Sequence, residues 1–108
     1  MTFFPCPYLG DYVELSNERE QHIANRHPDL LPTYRAAIEE TLTDPDQIRR
    51  SRRFGNARLF NRWFSTIRGG KYVIVVVVSD SYPTSRHWII TAYMSRKLAK
   101  GAIEWRKT

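Results

Sequence analysis

The stretch Arg68-Gly69-Gly70-Lys71-Tyr72-Val73-Ile74-Val75-Val76-Val77-Val78 decides the fold of this chain. Its two glycines are a strong signal for a β-hairpin, because glycine readily adopts the positive φ angles that tight hairpin turns require. The run that follows is unbroken, apolar and rich in β-branched residues, which is typical of a central strand. The sequence therefore predicts an antiparallel hairpin whose second strand lies inside a sheet, covered on at least one face.

The apolar residues on both sides of this hairpin follow the two-residue period of β-strands. Residues 58–67 form the preceding strand, and residues 48–53 form a short basic strand before it. Residues 86–95 alternate cleanly and form the last strand of the predicted sheet. The alternation predicts one face made of Trp88, Ile90, Ala92 and Met94, and an opposite face made of His87, Ile89, Thr91, Tyr93 and Ser95.

The first half of the chain carries helical signals instead. Residues 16–27 read as a helix, with Ser16 or Asn17 as N-cap and an end imposed by Pro28, since proline disfavours helical geometry in the residue before it. A second amphipathic helix is expected to begin near Pro32 and to end at the Thr43-Asp44-Pro45-Asp46 turn. Residues 3–8 are interrupted by proline and are expected to be irregular.

Together these elements predict an α+β fold, with two N-terminal helices packed on one face of an antiparallel sheet of about four strands. Residues 12–15 are expected to be a short strand or an extended lead-in, and residues 96–108 a basic tail that packs through a few apolar side chains. The chain of 108 residues suits one domain, residues 1–108.

Charge is divided unevenly along the chain. Residues 1–46 hold three Lys/Arg and nine Asp/Glu, whereas residues 47–108 hold fourteen Lys/Arg and only two Asp/Glu. Most of the basic residues are arginine, whose planar fork suits bidentate contact with phosphate. This distribution favours a polyanionic partner, most simply nucleic acid, over a basic surface kept only for solubility.

The sequence also favours a cytoplasmic protein without a membrane span. Cys6 is the single cysteine, so the fold depends on no internal disulfide. The first residues lack the basic region and the sustained apolar run of a secretory signal, and no stretch reaches the length of a membrane helix.

The sequence lacks the motifs of several common kinds of active site. Gly69-Gly70 lacks the spacing of a phosphate-binding or dinucleotide loop, and no nucleophile elbow surrounds a serine. His22 and His27 are five residues apart, which does not place two metal ligands on one helical face. We therefore expect neither a metal nor a cofactor, and a catalyst built from His, Arg, Tyr and Thr.

Histidine and arginine side chains lie in a stripe along one face of the predicted first helix. Residues three and four apart share a helical face, so Arg19, His22 and Arg26 form a cationic and titratable row, with Ile23 and His27 beside it. Histidine can exchange a proton near neutral pH, and flanking cations would hold a phosphate against it.

This set of residue types suits RNA cleavage by the RNA's own 2′-hydroxyl group, which leaves a 2′,3′-cyclic phosphate. One group accepts the 2′-hydroxyl proton, a second protonates the leaving 5′-oxygen, and cations stabilise the charged transition state. His22 is the first choice as acid or base, with Tyr93 or His27 as its complement. Substrate-binding side chains are expected to be Arg26, Arg50, Arg52 and Arg62 as phosphate clamps, with Thr91 and Ser95 as hydrogen-bond donors.

Three short motifs resemble a known family. They are His22-Ile23-x-x-Arg26-His27-Pro28, Asp44-Pro45-Asp46-x-Ile48 and Ile90-Thr91-Ala92-Tyr93. They resemble the BECR nucleases, the superfamily that groups barnase, EndoU, colicin-type and RelE-like nucleases, and in particular its phage-associated PBECR branch. The resemblance implies a metal-independent endoribonuclease, a toxin or a phage-linked RNase, with its catalytic residues on the first helix and the last strand. By motif these are His22, Arg26, His27, Thr91 and Tyr93.

Simpler interpretations stay open for the same residues. His27 beside Ile23 and Pro28 is typical of a capping or half-buried histidine as much as of a catalyst. Tyr93 can cover the sheet with its hydroxyl in water, and the arginines after Gln47 can protect a sheet edge. The alternative function is a non-catalytic module that binds RNA, or an acidic antitoxin or immunity protein, through its arginines.

Overall fold

The computed structural model describes residues 1–108, which form nine elements of regular structure. In chain order they are β1 (Thr2–Cys6), β2 (Asp11–Leu15), α1 (Asn17–Arg26), α2 (Arg35–Thr43), β3 (Gln47–Arg50), β4 (Ala57–Phe64), β5 (Lys71–Asp80), β6 (Arg86–Ser95) and β7 (Ala102–Arg106). All strands belong to one sheet in the order β1-β2-β6-β5-β4-β3-β7, and both helices are inserted between β2 and β3.

The centre of the sheet is the antiparallel run β3-β4-β5-β6. It is extended on one side by the β1-β2 hairpin, which joins β6 in parallel through the single pair Glu14 and Trp88. On the other side β7 runs antiparallel to β3. The predicted hairpin around Gly69-Gly70 is confirmed, because β4 pairs over its whole length with residues 71–78 of β5, and β5 lies in the middle of the sheet.

The predicted fold of two N-terminal helices on a four-stranded antiparallel sheet is wrong. The sheet has seven strands and is mixed, and two strands precede the helices. β1 was expected to be irregular because of Pro5, but it is an edge strand, where the missing N–H of proline is tolerated. β7 has no clean alternation because its pairing with β3 is interrupted at Glu104.

The first predicted helix is confirmed by α1, and its ends follow the local sequence. The Ser16 hydroxyl accepts a hydrogen bond from the backbone N–H of Arg19 at 3.1 Å, which satisfies a free donor of the first turn. His27 is the C-cap, and its backbone N–H donates to the Ile23 carbonyl at 2.7 Å. The second predicted helix is also present but begins at Arg35, three residues after Pro32.

The main core lies between the helices and one face of the sheet. Val73, Val75 and Val77 of β5 pack there with Ile23 of α1 and Ile38 of α2, all of them fully buried. Burying one such side chain contributes about 1.5–3 kcal/mol, so this layer dominates the stability of the fold.

The opposite face of the sheet carries a smaller core under the chain that connects β6 to β7. Ala99 of this connection packs on Ile74 and Val76, and its backbone N–H donates to the buried Asn61 side chain at 2.9 Å. β5 is thus covered on both faces, as its continuous apolar sequence predicts.

The two predicted faces of β6 are wrong, because a β-bulge at Ile90 interrupts the alternation of its side chains. Val76 pairs with Thr91 but Val77 pairs with Ile89, so Ile90 has no partner in β5. The extra residue shifts the alternation by one position. The face away from the helices therefore carries Trp88, Ile90, Thr91, Tyr93 and Ser95, while the helix side carries Ile89, Ala92 and Met94.

Candidate functional site

An open cleft separates α1 from β6. β2 reaches β6 only at Trp88, and the chain then turns into α1, which contacts the remaining part of β6. The cleft has a volume of about 670 Å³. Its lining residues are Arg19, His22, Arg26 and His27 from the helix side, with Ile90 and Thr91 from the strand.

The helical side of the cleft follows from the spacing of its residues. Arg19, His22 and Arg26 lie three and four residues apart, so they project from one exposed face of α1. Ile23, four residues after Arg19, lies beside this stripe, is completely buried, and holds the adjoining edge of the helix against the core. The apolar anchor and the cationic stripe are therefore two consequences of one helical period.

His27 lies at the end of α1, against the last predicted catalytic residue of β6. The ring centroids of His27 and Tyr93 are 6.0 Å apart and the rings are tilted by 35°. The carbonyl of His27 accepts hydrogen bonds from the backbone N–H groups of Leu30 and Leu31, at 3.0 and 3.2 Å. The histidine backbone is thus held on both sides, by α1 and by the turn that follows it.

The cations of the cleft have no acidic partner. The ion pairs of the structure include neither Arg19 nor Arg26, and the guanidinium groups of both residues make no hydrogen bond. Glu20, on the same helix, is engaged by Arg35 at 2.7 Å, and this contact lowers the pKa of the glutamate below its ordinary value. Two free arginines therefore face the cleft and can neutralise an anion there.

Tyr93 is half-buried on the sheet face away from the helices, where it packs against the small core around Ile74. Burial raises the pKa of its phenol above the ordinary value of 10.0. A phenol is already protonated at neutral pH at its ordinary pKa, and burial acts in the same direction, so the hydroxyl suits a hydrogen-bond donor better than a base.

The predicted site residues fall into two groups, one at the cleft and one outside it. His22, Arg26, His27 and Thr91 line the cleft, and Tyr93 lies beside His27. The predicted clamps Arg50, Arg52 and Arg62 are not among the lining residues, and neither is Ser95. Arg19, which belongs to the sequence stripe but was not predicted as a site residue, lines the cleft as well.

The predicted substrate-binding residues outside the cleft have other surroundings. Arg50 forms an ion pair with Glu104 at 2.8 Å, and Arg62 forms one with Asp44 at 3.1 Å. Arg52 is exposed in the turn between β3 and β4. The Ser95 hydroxyl accepts the backbone N–H of Lys97 at 3.1 Å.

A polar network that the sequence analysis missed lies at the other end of the sheet, around Glu104. Its carboxylate accepts hydrogen bonds from the Tyr8 hydroxyl at 2.6 Å and from Arg58 Nε at 2.7 Å. Burial acts to raise the pKa of Glu104, but the hydrogen bonds from Tyr8 and Arg58 outweigh it, so that pKa lies below its ordinary value. Because the carboxylate neutralises Arg58 and Arg50, this end of the sheet is a poor phosphate site.

The third histidine also belongs to this end of the sheet. His87 is buried in β6, and its Nδ1 lies 2.7 Å from the Ser79 hydroxyl. Its Nε2 lies 3.6 Å from the carboxylate of Asp11. The sequence pattern alone did not identify this contact, because it depends on the position of the β1-β2 turn beside β6.

The structure gathers no group of three or more His, Cys, Asp or Glu side chains with the geometry of a metal site. No helix has the length and the apolar composition needed to cross a membrane. Comparisons with protein-family models, with curated proteins and with solved structures give no match to this chain.

Proposed function

We propose that this protein is a metal-independent endoribonuclease whose active site is the cleft between α1 and β6. One observation carries the proposal: unpaired arginines and two histidines line one open cleft, and the Tyr93 ring lies beside one of these histidines. The resemblance to the BECR nucleases supports the same residues and adds the expectation of a toxin or a phage-linked RNase.

The proposed reaction is an internal transesterification of RNA. The 2′-oxygen attacks the adjacent phosphorus, the bond from phosphorus to the 5′-oxygen breaks, and the 2′-hydroxyl proton leaves to a base. An acid supplies a proton to the departing 5′-oxygen. The products are a 2′,3′-cyclic phosphate and a free 5′-hydroxyl, and every proton is accounted for by one base and one acid.

The residues of the cleft suit separate roles in this reaction. A histidine, His27 or His22, accepts the 2′-hydroxyl proton, since imidazole is a competent base near neutral pH. Tyr93 donates to the leaving oxygen, because its phenol carries a proton at neutral pH and its ring lies beside His27. Arg19 and Arg26 hold the phosphate and stabilise the negative charge that develops on it.

A second candidate function is binding of RNA, or of an acidic antitoxin or immunity protein, without cleavage. It is favoured by one specific observation: the imidazoles of His22 and His27 make no hydrogen bond to an orienting group, whereas catalytic histidines are usually oriented by one. Unpaired Arg19 and Arg26 would serve this function equally well.

Cleavage of mixed RNA in EDTA separates these candidates. We expect wild-type protein to release fragments with 2′,3′-cyclic phosphate ends, and His27→Ala and Tyr93→Phe to lower kcat by about 10²–10⁴-fold, the usual contribution of a general acid or base. The measurement is end-group analysis together with initial rates. Tyr82→Phe is the matched control, since Tyr82 is 87% exposed in the loop before β6 and should cleave like wild type.

The variants must stay folded for this result to count, so their thermal midpoints are measured alongside. Salt-sensitive RNA binding with no cyclic-phosphate ends in the wild type would refute the nuclease and support the binding module. Full activity in both His27→Ala and His22→Ala would refute the assignment of the base to α1.

A further inference from the structure

A stack of the Arg86 guanidinium on the Trp88 ring, held by Glu14, lies where β2 meets β6, and Trp88 is two residues before the cleft residue Ile90. The guanidinium of Arg86 lies over the ring of Trp88, 4.9 Å from its centroid. Glu14 holds this guanidinium with two contacts, Nε to Oε2 at 3.0 Å and Nη2 to Oε1 at 3.1 Å. Glu14 is itself paired with Trp88 across the strands, so the stack is fixed to the backbone of both.

The β-bulge at Ile90 connects this stack to the cleft. Because Ile90 has no partner in β5, Trp88 and Thr91 point to the same face of the sheet as Tyr93. Ile90 and Thr91 line the cleft, and Trp88 lies two residues before Ile90 on the same face. Without the bulge, Trp88 and Thr91 would lie on opposite faces of the sheet.

The outer surface of the stack is open to solvent. The Arg86 side chain is 55% exposed although its charge is paired, so its free face is not needed to hold Glu14. Tyr12 lies two residues before Glu14 on the same face of β2 and is 59% exposed. A planar guanidinium and an exposed aromatic ring are thus presented on the sheet face to which the cleft residues Ile90 and Thr91 belong.

We infer that Trp88, Arg86 and Glu14 form a stacking site for an unpaired nucleobase, and that the substrate is single-stranded RNA; this rests on the proposed function. Bases stack on aromatic rings and on arginine planes, and each such contact contributes about 1–3 kcal/mol. Arg19 and Arg26 hold the phosphate in the cleft, and the stack holds the adjoining base. A base within a duplex is already stacked and paired, and therefore cannot enter this site.

Binding of a single-stranded 2′-O-methyl RNA oligonucleotide tests the inference independently of cleavage, because this RNA has no free 2′-hydroxyl. We expect Trp88→Leu to raise its Kd at least about fivefold, the lower end of one stacking contact. Trp88→Phe should restore most of the affinity, which separates stacking from a general loss of structure. Trp63→Leu is the matched control, since Trp63 is an exposed tryptophan of β4 and does not line the cleft.

A duplex of the same sequence should bind the wild type more weakly than the single strand and should be insensitive to Trp88→Leu. Equal affinity of wild type, Trp88→Leu and Trp63→Leu for the single strand would overturn the stacking site, as would absence of binding by the wild type. RNA cleavage that depends on His27 together with this negative result would leave the nuclease proposal intact. Binding that depends on Trp88 in a protein that cleaves nothing would instead refute only the nuclease.

Discussion

At the scale of single residues, arginines that look equivalent in the sequence have different partners. Arg50 and Arg58 are neutralised by Glu104, which is 46 residues away from Arg58 along the chain. Arg19 and Arg26 have no such partner and face the cleft. Net charge predicts a polyanion-binding protein, but only the distribution of the carboxylates determines which arginines can meet a phosphate.

Glu104→Gln is expected to lower the free energy of unfolding by about 1–3 kcal/mol, because two arginines lose the charge that compensates their partial burial. Urea denaturation at neutral pH measures the effect. Glu39→Gln is the control, since Glu39 is exposed on α2 and forms no ion pair. Equal stability of both variants would show that the network around Glu104 is only a surface contact.

The same network gives stability a pH dependence. The pKa of Glu104 in the folded protein lies below its ordinary value of 4.5, so its stabilising contribution is complete above that pH and is lost as the pH falls through the lower folded value. Urea denaturation at several pH values measures this effect. Between neutral and acidic pH, the free energy of unfolding should fall more steeply for the wild type than for Glu104→Gln.

At the scale of secondary structure, two irregularities determine where the candidate site lies. The bulge in β6 aligns Trp88, Thr91 and Tyr93, and the end of β2 leaves room for α1 beside that strand. At the opposite edge, Gly101 ends the connection that crosses the sheet to β7. Its φ of 133° belongs to a region that is almost exclusive to glycine.

Gly101→Ala is expected to destabilise the protein by about 2–3 kcal/mol, since backbone strain at such a φ costs about 1–3 kcal/mol. A Cβ atom at this position would also lie 2.4 Å from the carbonyl oxygen of Arg50 on β3. Gly55→Ala is the control, because no atom lies within 4 Å of its Cβ position. Thermal unfolding compares the two, and similar midpoints would contradict a tight β3-β7 junction.

At the scale of the whole molecule, the fold separates the charges of the chain only in part. The acidic first half contributes α1, whose exposed face is nevertheless cationic. The basic second half forms most of the sheet, and several of its arginines form ion pairs with Glu104, Asp44 and Glu14. Under the proposed function, we expect the excess positive charge to favour RNA binding in general and the free arginines of α1 to hold the phosphate.

The salt dependence of RNA binding tests this distribution. Each phosphate contact contributes about 0.7 to the slope of log Kd against log salt for a single strand, so Arg19→Gln with Arg26→Gln should lower the slope by about 1.4. Arg52→Gln with Arg53→Gln is the control of equal charge, since both are exposed in the turn after β3. If the control lowered the slope and the α1 variant did not, the RNA would lie along the β3-β4 turn instead.

Elements with strong local signals could be predicted from the sequence, and elements that exist only through pairing could not. The helix from Ser16 to His27 and the hairpin around Gly69-Gly70 depend on caps, period and turn residues that lie within a few positions. β1 and β7 have weak patterns of their own and become strands because β2 and β3 offer them free edges. Their omission, together with that of β2, whose residues the sequence leaves open as a strand or a lead-in, reduces the seven strands to the four that the sequence predicts.

The candidate site likewise has one half that could be predicted from the sequence and one half that could not. Its helical half is determined by the sequence, because the spacing of Arg19, His22 and Arg26 needs only a helix to bring them together. Its strand half was decided by tertiary structure, because an unpaired Ile90 changes which side chains share a face, and the alternation of residues cannot reveal a bulge. The proximity of His27 to Tyr93, 66 positions later in the chain, likewise exists only once α1 has packed beside β6. Local periods are properties of the chain, whereas long-range register is a property of the packed sheet.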